Sequence, residues 1–225
     1  MKYLWTEDSK AGFHYWRLVN EYLFESSFIV ESKGNNQKLL DAVRELKPQK
    51  GDIYYIAFDI VYDNMDVMNK YMELQSLSER NPRHIILLDI TCFEAIIFKF
   101  KHLVKWTDSG RKDKIAIREV LLKSFKYHKI DIDSIEDSKT LNYLMGFKNY
   151  STEKVLKSIT NELTDKDEWS IKGENMGKCW YQDCCIVANS SKRFCGMSNH
   201  MLGVDKVKTL LVDEETQRII QQMIV

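Results

Sequence analysis

The sequence predicts an α/β protein: a mostly parallel sheet of about four strands with flanking helices, then a helical region, then a small Cys-rich lobe. Three observations carry this. Over residues 1–104, short apolar runs alternate with longer segments of helical spacing. One of the runs, IYYIAF at 53–58, is apolar throughout, as a central strand covered on both faces is. Only two prolines and nine glycines punctuate 225 residues, which leaves room for long regular elements.

The elements follow in order. Residues 2–6, rich in Tyr, Leu, Trp and Thr, read as a strand. Residues 9–24 place Phe13, Trp16, Val19 and Leu23 at helical spacing, with Ser9 as N-cap. Residues 28–30 read as a second strand, followed by a polar turn around Gly34 and a helix over 37–46 that Pro48 and Gly51 end. After the 53–58 strand, residues 64–77 read as a helix with Met65, Met68, Met72 and Leu77 toward the core. Pro82 marks a loop, residues 85–88 (IILL) a fourth strand, and residues 93–104 an apolar helix. This divides the chain into an α/β domain at 1–104, a helical region at 105–167 and a Cys-rich lobe at 168–225. In the middle region 115–125 and 141–163 read as helices, without strand alternation, and acidic 131–137 as a solvated turn between them. An amphipathic helix over 213–225 ends the lobe.

Composition narrows the function classes. Hydrophobic residues at 44% and aromatics at 12% suit a packed core. The 33 basic residues balance the 33 acidic ones, so no global field draws the protein onto nucleic acid, although a local basic patch remains open. No apolar run approaches the ~20 residues of a membrane span, and the start MKYLWTEDSK lacks the apolar core of a signal peptide. The expectation is a cytoplasmic protein without membrane contact, whose five cysteines are thiols or metal ligands. There is no HExxH, Walker A or GxSxG sequence.

The candidate chemistry lies in carboxylates at strand ends. Glu7 and Asp8 follow the first strand, Asp59 and Asp63 the third, and Asp89 the fourth. Open α/β sheets bind ligands at that edge, and converging carboxylates suit Mg²⁺ or Mn²⁺ and phosphodiester chemistry. Lys10 or Lys33 would neutralise a phosphate nearby. The competing reading makes Asp8, Asp63 and Asp66 helix caps or turn formers, and Asp89 a cap of the helix that follows it.

The order strand–Glu7, helix, strand–glycine turn, helix, strand–Asp59 resembles the TOPRIM domain of topoisomerases, primases and related bacterial defence nucleases. The resemblance covers roughly residues 1–104 and implies a TOPRIM, Rossmann-like sheet. By position Glu7 stands for the family's glutamate and Asp59 for the first aspartate of its Asp-x-Asp pair. ESKGNN at 31–36 resembles the glycine turn of small TOPRIM-like defence proteins, and LDITCFEAIIFKF at 88–100 their late strand and Glu-bearing helix, with Glu94 as the acid. Val61 stands where the second aspartate would be, and Asp63 substitutes only if the loop turns back. The implied function is a metal-dependent nuclease of a mobile-element or phage-defence system. Glu7, Asp59 and Asp63 would be catalytic, with Asp89, Glu94 and Lys10 supporting them, nucleic acid as substrate and a partner protein such as an ATPase. The broken pair keeps open a catalytically inactive binding module, and beyond that an unrelated Rossmann-like interaction protein.

The last region carries KCWYQDCCIVANSSKRFC at 178–195. Cys179 and Cys184, with Cys195 and a fourth ligand from Cys185 or His200, suit a structural Zn²⁺. Burial of these cysteines as small core residues is the alternative. Cys92 reads as core.

Overall fold

Four short strands build the sheet of this computed structural model: β1 (Lys2–Thr6), β2 (Ile29–Ser32), β3 (Ile53–Ala57) and β4 (Ile85–Leu87). The structure describes residues 1–9, 11–106, 109–164 and 210–224. Lys10 and the candidate zinc ligands Cys179, Cys184, Cys185, Cys195 and His200 lie outside the described residues.

All neighbouring strands pair parallel, in the order β2-β1-β3-β4. The chain therefore leaves β1 toward one edge to form β2, and leaves β3 toward the other edge to form β4. Connections from these adjacent strands diverge at their C-terminal ends, and the divergence makes a crevice there.

Side chains alternate between the two faces, as extended backbone requires. Leu4 and Tyr55 belong to a core shared with α1 (Ala11–Leu23), α4 (Phe93–Lys99), α5 (Lys112–Ser124) and α7 (Thr152–Thr164). Trp5, Tyr54 and Ile56 belong to the opposite core, filled by α2 (Asn36–Arg44) and α3 (Met65–Arg80). The expected central strand is β3, buried from Tyr54 to Ala57.

Local chemistry sets the helix ends. The Asn35 side chain accepts from the Lys38 amide at 2.9 Å to start α2, and Asn64 accepts from Asp66 and Val67 to start α3. On α3 the buried stripe is Val67 and Leu74, whereas Met65 and Met72, expected in the core, are exposed. Both pairs repeat at seven residues, but two positions of offset turn a helix by about 200°, so only one pair meets the sheet. Helix α4 stops at Lys99, short of the expected 104. There the buried Arg118 guanidinium donates to the Phe98 and Phe100 carbonyls at 2.8 and 2.9 Å.

The middle region differs from expectation in two places. A two-stranded antiparallel hairpin, β5 (Phe125–Lys126) and β6 (Lys129–Ile130), follows α5 where no strand is expected. The single helix expected over 141–163 is two, α6 (Ser138–Met145) and α7, separated by a turn with Asn149 at φ 55°. Helix α8 (Glu214–Gln221), N-capped by Asp213, returns to the first half of the chain. Its Thr216 accepts a 3.0 Å hydrogen bond from the Tyr15 hydroxyl, with both residues buried. Among the described residues no helix is long and apolar enough to cross a membrane.

Candidate functional site

The crevice at the sheet's switch point is lined with acids. β1 ends at Thr6 and delivers Glu7 and Asp8; β3 ends at Ala57 and delivers Asp59 two residues later. Glu94 and Glu153 come from the first turns of α4 and α7, where the helix N-terminus carries partial positive charge. Lys157, one turn after Glu153, places Nζ 3.4 Å from Glu94 Oε1.

These groups bear on one another. Burial, reinforced by Asp8, pushes the Glu7 carboxyl up to about 8, while the facing side chain and main chain of Asp59 offset part of the rise. Glu7 Oε2 is buried without a hydrogen-bond partner. Asp8 is raised to about 7 by burial and then by Glu94, against the pull of Lys157. Asp59 stands well above the usual carboxylate range because it is buried and faces Glu7, Asp8, Glu94 and Glu153. Glu153 is raised by burial and by Glu94, with Lys157 and Lys154 opposing. Lys157 is raised in turn, chiefly by Glu94. Carboxyl groups that outnumber their cations in a low-dielectric crevice have two ways out: they hold protons or they hold a cation.

A small glycine makes one position possible. A Cβ on Gly12, in the first turn of α1, would overlap the Asp8 carboxylate, so the absent side chain is what admits this acid beside the helix start.

The donors are all hard oxygens, the kind Mg²⁺ and Mn²⁺ take. Among the described residues no three His, Cys, Asp or Glu side chains form a ready-made cage for an ion. Mg²⁺ binds with one or two protein carboxylates and keeps waters for the rest. Glu7, with its unpartnered oxygen, and Asp59 fit that water-rich mode; a closed all-protein cage they do not form.

The other residues expected at the site fall as follows. Glu94 is in the crevice. Asp63 Oδ2 accepts from both the amide and the hydroxyl of Thr152 at 2.7 Å, so it starts α7 and thereby positions Glu153. Asp89 is taken by two partners: Oδ1 lies 2.7 Å from His128 Nε2 and Oδ2 2.6 Å from Arg218. It does not cap α4, whose N-cap is Cys92, a fully buried residue. Lys33 pairs with Glu31 at 2.6 Å and lies over the Trp5 ring at 3.7 Å. Glu153 and Lys157 escape sequence reading because a glutamate in a helix first turn, with a lysine one turn on, is commonplace; only the fold packs α7 on α4 and so brings Glu153 to bear on Glu7 and Asp59.

No protein-family model matches the chain, and comparison with curated proteins and with solved structures finds no match.

Proposed function

We propose that the chain is a metal-dependent phosphodiesterase acting on nucleic acid, with a TOPRIM-like site. The observation that carries this reading is the pairing of Glu7 and Asp59 at the switch point, both raised by burial, Glu7 further by the charge of Asp8 and Asp59 further by the charge of Glu7. In this reading Glu7 and Asp59 hold Mg²⁺ or Mn²⁺. When bound there, the ion supplies positive charge to the phosphodiester oxygens. Asp8, with a carboxyl near 7, is poised to take a proton from the attacking water at neutral pH. The Lys157 ammonium adds positive charge on the side of Glu94. Asp63 serves as a positioning residue for Glu153. The TOPRIM resemblance adds a setting in mobile-element or phage-defence systems and an ATPase as partner.

One observation favours a second reading, an inactive module of the same kind that binds without cleaving. Val61, which stands at the position of the second aspartate, is buried and apolar.

Calorimetry with Mn²⁺, followed by nicking of supercoiled DNA, separates the two. Wild type is expected to bind Mn²⁺ and nick. Glu7→Gln and Asp59→Asn are each expected to lose both, with the fold intact by circular dichroism. Nicking unchanged in both variants overturns the proposal, and Mn²⁺ binding without nicking on DNA or RNA favours the inactive module.

A further inference from the structure

The hairpin Phe125–Ile130 is built in an unusual way. Its two strands pair Lys126 with Lys129 and Phe125 with Ile130, which leaves Tyr127 and His128 as a two-residue turn. Both turn residues are left-handed, φ 48° and 61°. Turns of this kind favour Asn and Gly, since a side chain clashes with its own backbone there. Here two bulky rings hold the position, and one of them, Tyr127, is 84% exposed. Lys123, Lys126 and Lys129 beside it are exposed as well. Lys126 has one distant partner, Asp131 at 3.4 Å; Lys129 has no ion-pair partner among the described residues.

The other ring explains how the hairpin is fixed. His128 hydrogen-bonds through Nε2 to Asp89 and through Nδ1 to the Thr91 hydroxyl at 2.9 Å, just before the helix that bears Glu94. Tyr62, three residues after Asp59, packs edge-on against His128 at 5.3 Å. The Ile130 amide donates to Thr152 Oγ1 at 3.0 Å, next to Glu153. The hairpin is thus tied by these contacts to three of the segments that carry crevice acids, while Tyr127 and the lysines are presented outward.

We propose that this hairpin is a nucleic-acid finger: an unstacked base of a single strand lies on Tyr127 while Lys126 and Lys129 contact the flanking phosphates. Aromatic faces with interleaved positive charge hold single strands in this way, and the finger feeds that strand toward the carboxylate crevice. The inference rests on the phosphodiesterase reading only for that last step.

The test is fluorescence anisotropy of a labelled thymidine oligonucleotide with the full chain in EDTA, where no cleavage occurs. Tyr127→Gly is expected to weaken binding about tenfold while raising thermal stability, because glycine relieves the left-handed turn. Lys126→Ala with Lys129→Ala is expected to lower the slope of log K against log salt by about 1.4, the contribution of two single-strand phosphates. A duplex of the same length is expected to bind more weakly and to respond less to Tyr127→Gly. Wild-type affinity in both variants, or no oligonucleotide binding by the wild type, overturns the finger. Mn²⁺ calorimetry keeps the two proposals apart. Glu7→Gln that loses Mn²⁺ yet binds the oligonucleotide in EDTA supports the finger, and a finger that binds in a protein without Mn²⁺ affinity survives the failure of the nuclease reading.

Discussion

Gly12 is the residue whose smallness matters most to the crevice. In an ordinary helix interior, glycine to alanine gains about 0.5–1 kcal/mol by restricting the unfolded chain. Here the added methyl overlaps the Asp8 carboxylate, so the gain is open only if Asp8 swings out. Gly12→Ala is therefore expected to forfeit the ordinary gain, whereas Gly12→Ala in an Asp8→Ala background recovers it. The double-mutant cycle is expected to give a coupling of about 1 kcal/mol or more; simple additivity would mean that the two positions do not meet. Glu7 and Asp59 were legible because each directly follows an apolar run, and the place of a carboxylate after a strand end is a local property. The role of Gly12 was not legible: a glycine near a helix start looks like any other until the acid opposite it is known.

At the scale of elements, the distinction between a ligand and a cap is decided at Asp63. Its carboxylate satisfies the first amide of α7 and the Thr152 hydroxyl, the work of an N-cap supplied from 89 residues away. Asp63→Ala is expected to cost about 1–2 kcal/mol, read as a lower urea midpoint with an unchanged m-value. Mn²⁺ affinity is expected to fall far less than in Glu7→Gln. Loss of Mn²⁺ binding equal to that in Glu7→Gln would return Asp63 to the ligand set. The elements of the first hundred residues were legible because strands and helices there are long enough to display their periods. The hairpin was not, since strands of two residues show no alternation and Tyr-His is a poor turn signal. The methionines of α3 misled for a related reason: Met65 and Met72 share the seven-residue repeat of Val67 and Leu74, and periodicity alone does not say which stripe meets the sheet.

At the scale of the molecule, the crevice acts on the stability of the whole described fold. One buried cluster joins β1 and α1 to α5, α7 and α8, and the Tyr15–Thr216 hydrogen bond and the Arg218–Asp89 pair close the C-terminal helix onto the sheet. Charge strain in the crevice is then felt in global unfolding rather than in a detachable part. Glu7 moves from an ordinary 4.5 to about 8 on folding, and Asp8 from 3.8 to about 7. Between each pair of values the folded state keeps a proton that the unfolded chain has released, so stability falls as pH rises through that window. Below about 4 both states are protonated; above about 8 both are ionised, and the penalty is complete. In EDTA the melting temperature is expected to fall from pH 5 to pH 8, and Glu7→Gln is expected to flatten the decline. A divalent cation that displaces the protons reverses the trend: at one hundred times its dissociation constant Mn²⁺ adds about 2.7 kcal/mol, and at pH 8 it restores much of the lost melting temperature. A profile equally steep in Glu7→Gln would place the strain elsewhere. A profile that declines without EDTA and does not recover with Mn²⁺ would leave protons, rather than a cation, as the partners of the crevice.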